Sequence, residues 1–529
     1  MTDTYDFIIV GAGSAGAALA YRLTEDPGTR VLLLEAGKGV HPLSRLPVSF
    51  GLFIDKPGVN WRYFSEPEEG TANRKIPVPR GKMLGGSSSI NGLVYVRGQT
   101  LDYDTWAQMG NRGWSWQDVE PVFRRLEDYP DSSDGTRGRG GPLGISQVPE
   151  ENPLFDAIAA AAESVGIPRT ADYNGPDQEG VGKTQATIQR GRRMSTAHCY
   201  LRPAAKRANL NIVTEAQTEQ LLLDGKRCTG VAYRRGGRRI ETKAAREVVL
   251  SAGAIASPQL LELSGIGQPE LLQSHGIEVR HALPAVGEYF RDHMMARVQW
   301  RISRPGVSYN ERVRGFGLVT QALKYAATGG GFLSLPSAAQ LAFVKTRPEL
   351  ATPDVQMHLV PYAVKNPKKR KLHSFAGMTI ASYQLRPESL GSVHIRSGDP
   401  SAHPAIRFNF LADPIDRDTT IATVRMARRI VAAAPMDGFR GPEISPGAEV
   451  DSDDAIETWI RNNSETSYHP MGTCRMGPDA VVDERLKVYG IEGLRVADAS
   501  IFPTMPSGNT NAPAIMVGEK AADLIRGEA

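Results

Sequence analysis

The opening thirty residues constrain this chain more than any other stretch. Tyr5-Asp-Phe-Ile-Ile-Val10 is apolar and β-branched and runs into glycine, which predicts a buried parallel strand. Residues 14–23 set Ala17, Ala18, Leu19 and Leu23 among small neighbours, the composition of a helix that packs closely. Residues 31–34, Val-Leu-Leu-Leu, read as a second strand. The whole is a βαβ unit, and its glycines have separate tasks. Gly11 makes the tight turn, Gly13 lets backbone approach a pyrophosphate, and Gly16 lets the helix lie against the strand. The helix N-terminus, at Ser14 and Ala15, then offers unpaired N–H groups to an anion. Glu35 follows Gly16 by 19 residues, at the tip of the second strand. There a carboxylate can accept both ribose hydroxyls, which favours FAD or NAD over NADP.

Two internal segments extend the pattern. Residues 80–98 place small residues between apolar ones, among them Met83, Gly85, Gly86, Ser87, Asn91, Gly92, Leu93 and Val94. Such a stretch lets backbone pass close to a flat ligand. Residues 247–251 form a strand, Ala252-Gly253-Ala254 a turn, and Ser257-Pro258 the expected cap and first residue of a helix. The strand is expected to return to the first sheet. Residues 300–460 change texture, with alternating runs at 392–396 and 406–410 and a helical run at 416–434, which reads as a separate α+β domain.

The chain has 529 residues, enough for two or more domains. A hydrophobic share of 41% and a charged share of 23% fit an ordinary globular enzyme. A net charge of +4 over this length is too small to imply nucleic-acid binding. Cys199, Cys228 and Cys474 are widely spaced and odd in number, so free thiols in a reducing compartment are expected, with no disulfide framework and no metal site. The N-terminus enters the first strand without a secretory pattern, and no apolar run approaches 18 residues, so a cytoplasmic location without a transmembrane segment is expected. The basic run from Lys365 to Lys371 is a solvated loop or a contact for an anionic membrane or partner.

Near the C-terminus stand Ser467-Tyr-His469-Pro470 and Thr510-Asn511-Ala512-Pro513. A histidine is suited to take a hydroxyl proton because its ordinary pKa lies near neutrality. Read from residues alone, His469 is either such a base or a satisfied structural histidine; His293, in Arg291-Asp292-His293, reads as structural. Asn511 reads as a helix N-cap with Pro513 in the first turn. Asp498, after a short strand and before Ala499, is expected to contact backbone or cofactor rather than to act as an acid.

These segments together resemble the glucose–methanol–choline (GMC) family of flavin oxidoreductases over essentially the whole chain. The resemblance rests on Gly11-Ala-Gly13-Ser-Ala-Gly16, residues 81–98, the Gly253–Gly267 segment, and Tyr468-His469-Pro470 with Asn511. It implies an α/β Rossmann-like FAD domain built from 1–155, 195–295 and 465–529. An α+β substrate domain with an antiparallel sheet would occupy 156–194 and 296–464. It implies His469 as base and Asn511 as the amide that holds the developing alkoxide. FAD contacts are implied along the glycine-rich segments already named and at Glu35, Ala36, Thr218, Ala252, Gly253, Asp498, Ala499, Ala512 and Pro513. Among the family's members the chain looks most like the bacterial choline dehydrogenase-like branch, which includes alcohol dehydrogenases and oxidases of similar length. Where some members attach FAD through histidine, this chain has Ile90, so dissociable FAD is expected. Where choline-specific members carry a carboxylate, the matching position is Gln340, so a neutral primary alcohol oxidised to an aldehyde is expected, with Trp61 and Tyr468 as aromatic walls. Oxygen or a quinone-type acceptor would take the electrons. A lyase of the same fold, a choline-type dehydrogenase and a non-catalytic flavin protein are the alternatives.

Overall fold

The computed structural model describes residues 4–132, 135–366 and 371–527. Two seven-stranded sheets organise it. The first has a parallel core. Tyr5–Val10 lies between Val31–Leu34 and the end of Arg238–Leu250, and Leu210–Val213 extends the sheet beyond Val31–Leu34. Leu494–Val496 joins on the far side of the long strand, again parallel. The first half of that long strand turns antiparallel to Arg227–Arg235, which pairs with Gln217–Asp224 as a hairpin. The parallel strands are apolar at successive positions because helices cover them; Ile8, Ile9, Leu32, Leu33, Val248 and Val249 are all buried in one core.

The helix Ser14–Leu23 and the last helix, Asn511–Arg526, pack on each other beside this sheet. Two glycines fix the start of the first. Gly11 has φ +104°, and a Cβ there would lie 2.5 Å from the Ser251 carbonyl oxygen. A Cβ on Gly16 would lie 2.0 Å from the Gly11 oxygen, so only glycine lets the helix sit this close to its strand.

The second sheet is antiparallel throughout. Its order is Arg440–Ser445, Met294–Ile302, Gly377–Gln384, Val355–Val360, Gln340–Val344 and Gly180–Lys183, with Glu465–Thr466 pairing the start of Met294–Ile302. Pro414–Ala432, capped by the Asp413 carboxylate, covers one face of it with a core of its own. The runs at 392–396 and 406–410 form a separate two-stranded ribbon, Ser392–His394 with Ala405–Arg407. The basic run is only partly described: Pro367, Lys368, Lys369 and Arg370 lie outside the described residues.

One expected helix start moves. The helix runs Gly253–Leu263, with Pro258 inside it rather than at its first position. The start is held by a distant carboxylate, Asp498, which accepts from Gly253 N and Ser257 Oγ. Pro258 lacks the N–H that would reach the Ala254 carbonyl, and the Thr473 hydroxyl donates to that oxygen instead, at 2.7 Å. The internal proline thus leaves no orphaned carbonyl. The three cysteines are unpaired and buried. Among the described residues no helix is long and apolar enough to cross a membrane, and none of the His, Cys, Asp and Glu residues cluster as a metal site.

Candidate functional site

A cavity of about 1520 Å³ runs between the two sheets, from the glycine-rich turn to the underside of the antiparallel sheet. Its glycine-rich end is lined by Gly11, Gly13, Ser14, Ala15, Glu35 and Ala36, then by Gly86, Ser87, Asn91, Gly92, Leu93 and Val94. Thr218, Ala252, Gly253, Asp498 and Ala499 line it from the far side. Gly16, Met83, Gly85, Ala512 and Pro513 do not face the cavity; they sit behind its wall, with Met83 and Ala512 fully buried. Glu35 accepts from Ala12 N and Gly37 N, and burial pushes its carboxyl up to about 7. Thr218 Oγ1 is buried without a partner among the described residues, an orphan that a polar ligand would satisfy. Arg193, unremarkable in the sequence, is fully buried and donates to the Asn91 side chain and to the Ser88 and Asn91 carbonyls. It holds the 88–91 loop against the cavity. Ile90 lines the same wall and has no nucleophilic atom to offer.

His469 lies at the other end, buried, where the chain emerges from the short strand Glu465–Thr466. Tyr468 has φ +68°, a turn held by Thr466 Oγ1 accepting its N–H and by Arg80 donating to its carbonyl. Asp292 accepts from the backbone N–H of both His293 and His469 and from the Thr466 hydroxyl, which fixes the two histidines relative to each other.

The ring contacts settle the tautomers. His293 Nε2 lies 2.9 Å from the Leu385 carbonyl, which can only accept, so Nε2 carries a proton. Burial holds His293 down to about 4, so the ring is neutral and its Nδ1 is a lone pair. That lone pair is 2.9 Å from His469 Nδ1, which must therefore donate. Burial, then the neighbouring His293, His358 and Arg80, hold His469 well below the ordinary histidine range. Its Nε2 is a lone pair, turned to the cavity and receiving an N–H from Asn509 at 2.9 Å. Asn509 is itself oriented: Gln356 Nε2 donates to its Oδ1, and Tyr383 donates to Gln356 Oε1. Tyr383 also stacks on His293 at 4.4 Å.

The amide beside His469 is thus Asn509, not the expected Asn511. Asn511 is the first residue of the last helix, and Thr510 occupies the cap position. Its Oδ1 accepts from Ser14 Oγ at 2.8 Å, tying the helix to the glycine-rich turn. The two asparagines are separated by one residue, so the change from irregular backbone to helix between them aims them differently. The helix start is visible as Asn-Ala-Pro, but which asparagine precedes it depends on the Gly508 bend (φ +145°). His293, expected to be structural, is hydrogen-bonded to the Leu385 carbonyl and to His469 itself.

Gln340 leaves the substrate set. It is buried away from the cavity and donates to the Phe155 carbonyl. It belongs to a strand whose neighbour Ala339 reaches the wall instead. Trp61 and Tyr468 do line the chamber. The Trp61 ring lies parallel to Tyr63 and carries the Lys82 ammonium 3.9 Å from its centroid, so its π face already serves a cation of the protein. The chamber carboxylate Glu465 is paired with Arg297 at 3.2 Å.

Comparison with known proteins places this geometry. Family models described as GMC oxidoreductase match residues 5–295 and 387–518. The oxygen-dependent choline dehydrogenase of Sinorhizobium fredii (strain NBRC 101917 / NGR234) is 43% identical over 530 residues, 99% of this chain and 96% of that protein. The Brucella ovis protein of the same name is 42% identical over 99% of this chain and 95% of its own length. Among solved structures, pyridoxine 4-oxidase from Mesorbium loti superposes with a TM-score of 0.90 at 29% identity, covering 99% of this chain and all of that one. A formate oxidase superposes at 0.92 and 27% identity, over 100% of this chain and 99% of its own.

Proposed function

We propose, from the premise that the chain belongs to the GMC oxidoreductase family and is an FAD-dependent alcohol oxidoreductase, that His469 Nε2 removes the hydroxyl proton of a neutral primary alcohol. The observation that carries this is the Nε2 lone pair, neutral by burial and facing the cavity. The substrate hydroxyl would take the place Asn509 now holds on Nε2 and donate its proton there. Asn509 has a second N–H to give to the alkoxide oxygen, the form of stabilisation worth most where water is excluded. His293 keeps His469 Nδ1 protonated, so the proton from the alcohol has one place to go. FAD, when bound, supplies the acceptor for the carbon-bound hydride.

Residues 1–155, 195–295 and 465–529 would form the FAD domain and 156–194 with 296–464 the substrate domain. The proposed cofactor contacts are the cavity-lining residues named above, with Glu35 toward the ribose and the Ser14 helix start toward the pyrophosphate. Asn511 serves that end rather than the alkoxide. Non-covalent attachment is supported by Ile90: acid precipitation should release the flavin into the supernatant, and flavin retained in the pellet would refute it. A cytoplasmic working place is supported by the three unpaired buried thiols.

The similarity to choline dehydrogenases supports a second reading, a choline-type substrate. Against it stand the Glu465 carboxylate, already matched by Arg297, and the Trp61 face, already given to Lys82. Anaerobic mixing with a panel of primary alcohols including choline separates the two. The proposal expects flavin bleaching by neutral alcohols with choline slower; fastest bleaching by choline would overturn the neutral-alcohol reading. No bleaching by any alcohol would return the chain to the lyase reading. Running the same panel with oxygen and with a quinone distinguishes the electron acceptors.

A further inference from the structure

The helix Phe316–Thr328 stands apart from every other long helix in this protein because none of its residues is buried. Only Gly317, Gln321 and Tyr325 turn even partly inward, one stripe at a spacing of four. Tyr325 holds that stripe down by donating to the Gly191 carbonyl at 3.0 Å. At about 100° per residue the opposite side carries Phe316, Val319, Leu323, Ala326 and Ala327. Phe316 is 79% exposed and Leu323 65%. An amphipathic helix has been laid down with its apolar face outward.

The surroundings are basic. Lys324 is exposed on the helix itself, and Arg314, just before it, donates to the His373 and Ser374 carbonyls. Arg45 and Arg192 lie near Tyr325 and Arg202 lies near Arg45, and both Arg192 and Arg202 are exposed. The carboxylates nearby are engaged: Glu150 pairs with Arg312 and Glu311 accepts from Gly306 N. The patch also adjoins the cavity. The turn Phe332–Ser334 follows the helix directly and packs on Pro47–Ser49, and Phe332, Leu335, Val48 and Phe50 line the cavity wall. Leu52, beside them, is 60% exposed.

We propose that this face docks on an anionic lipid bilayer, with the outer side of Phe316–Thr328 seated at the headgroup boundary and the surrounding arginines and lysines facing the phosphates. An outward apolar helix face flanked by cations is the composition of an interfacial helix rather than a spanning one. A second copy of the chain fits less well, because a two-fold contact on this face would set Arg192, Arg202 and Lys324 against their own copies. Docked this way, the Phe332 side of the cavity opens toward the membrane surface.

The test is sedimentation of the FAD-loaded protein with phosphatidylcholine vesicles, with and without phosphatidylglycerol. Binding is expected only with phosphatidylglycerol, and it weakens as salt is raised. Val319→Glu with Leu323→Glu should lower binding about tenfold or more, leaving turnover of a small water-soluble alcohol unchanged. Arg192→Glu with Lys324→Glu should remove the preference for the anionic lipid. Failure of the wild-type protein to sediment with phosphatidylglycerol vesicles would overturn the proposal. So would binding that both double variants leave intact, or a dimer that the first variant splits without any vesicle binding.

Discussion

Two buried polar clusters in this protein are built from similar side chains and end in opposite electrical states. In one, Glu127 takes Arg97 and Arg137 at 2.6 and 3.0 Å and the Tyr95 hydroxyl at 2.6 Å, all buried. The two guanidiniums outweigh desolvation and hold its carboxyl down to about 2. In the other, His469 faces His293, His358 and Arg80, and burial with those neighbours holds it neutral. Opposite charges at close range make a fixed joint between segments 30 and 10 residues apart. Without such a counter-ion on the ring, Nε2 stays a lone pair that accepts the Asn509 N–H, the atom to which the proposed substrate proton would go.

The contrast can be broken from either side. His469→Ala should leave flavin bound and slow its anaerobic reduction by about 10²–10⁴-fold; unchanged stopped-flow reduction would remove the base from the scheme. Glu127→Gln should do the reverse, costing about 3–5 kcal/mol in denaturant unfolding by leaving buried Arg97 without a counter-ion and Arg137 with Asp172 alone, with reduction unaltered in the folded fraction. Because the folded pKa of Glu127 is depressed, its contribution is present above its ordinary range near 4.5 and is lost as pH falls toward 2. A melting series from pH 5 to 3 that is steeper in the wild type than in the Gln variant is the expected outcome.

Smaller changes sharpen the difference. Asn509→Ala should slow reduction by about 10²-fold, and Asn511→Ala should weaken flavin retention while altering the rate little; the reverse ranking would restore Asn511 as the alkoxide partner. His293→Leu removes the acceptor that sets the His469 tautomer. Reduction should fall by about 10–100-fold with KM preserved, and His293→Asn should recover part of it. The lowered pKa of His469 means the base stays unprotonated to more acid pH than an ordinary histidine, so the reduction rate should be flat through pH 6.5 and fall only below it. A midpoint at or above 6.5 would show the ring more solvated than its burial implies.

The first sheet was legible in the sequence because its demands are local. Val10 into Gly11, Gly16 six residues after the strand, and Glu35 at the tip of the next strand occupy positions that backbone geometry dictates. The chamber was less legible because its groups come from segments that only the fold unites. Gln356, Tyr383 and Leu385 orient Asn509 and His293, yet nothing in their own neighbourhoods marks them. The shift from Asn511 to Asn509 has the same origin: the two asparagines flank the start of one helix, Asn509 just before it and Asn511 its first residue, and that boundary separates their tasks. Gln340 failed similarly, since a strand that alternates its faces sends one neighbour to the cavity and the next to the core.

The bond from Ser14 to Asn511 spans 497 residues of chain. A Cβ on Gly518 would come within 2.2 Å of the Ala15 oxygen, so the last helix closes directly on the first. During translation, the glycine-rich turn therefore leaves the ribosome long before the helix that completes its surroundings. At ~5–20 residues per second the wait is roughly 25–100 s. Through that interval the nascent chain exposes the apolar face of Ser14–Leu23 and a half-built cofactor grip.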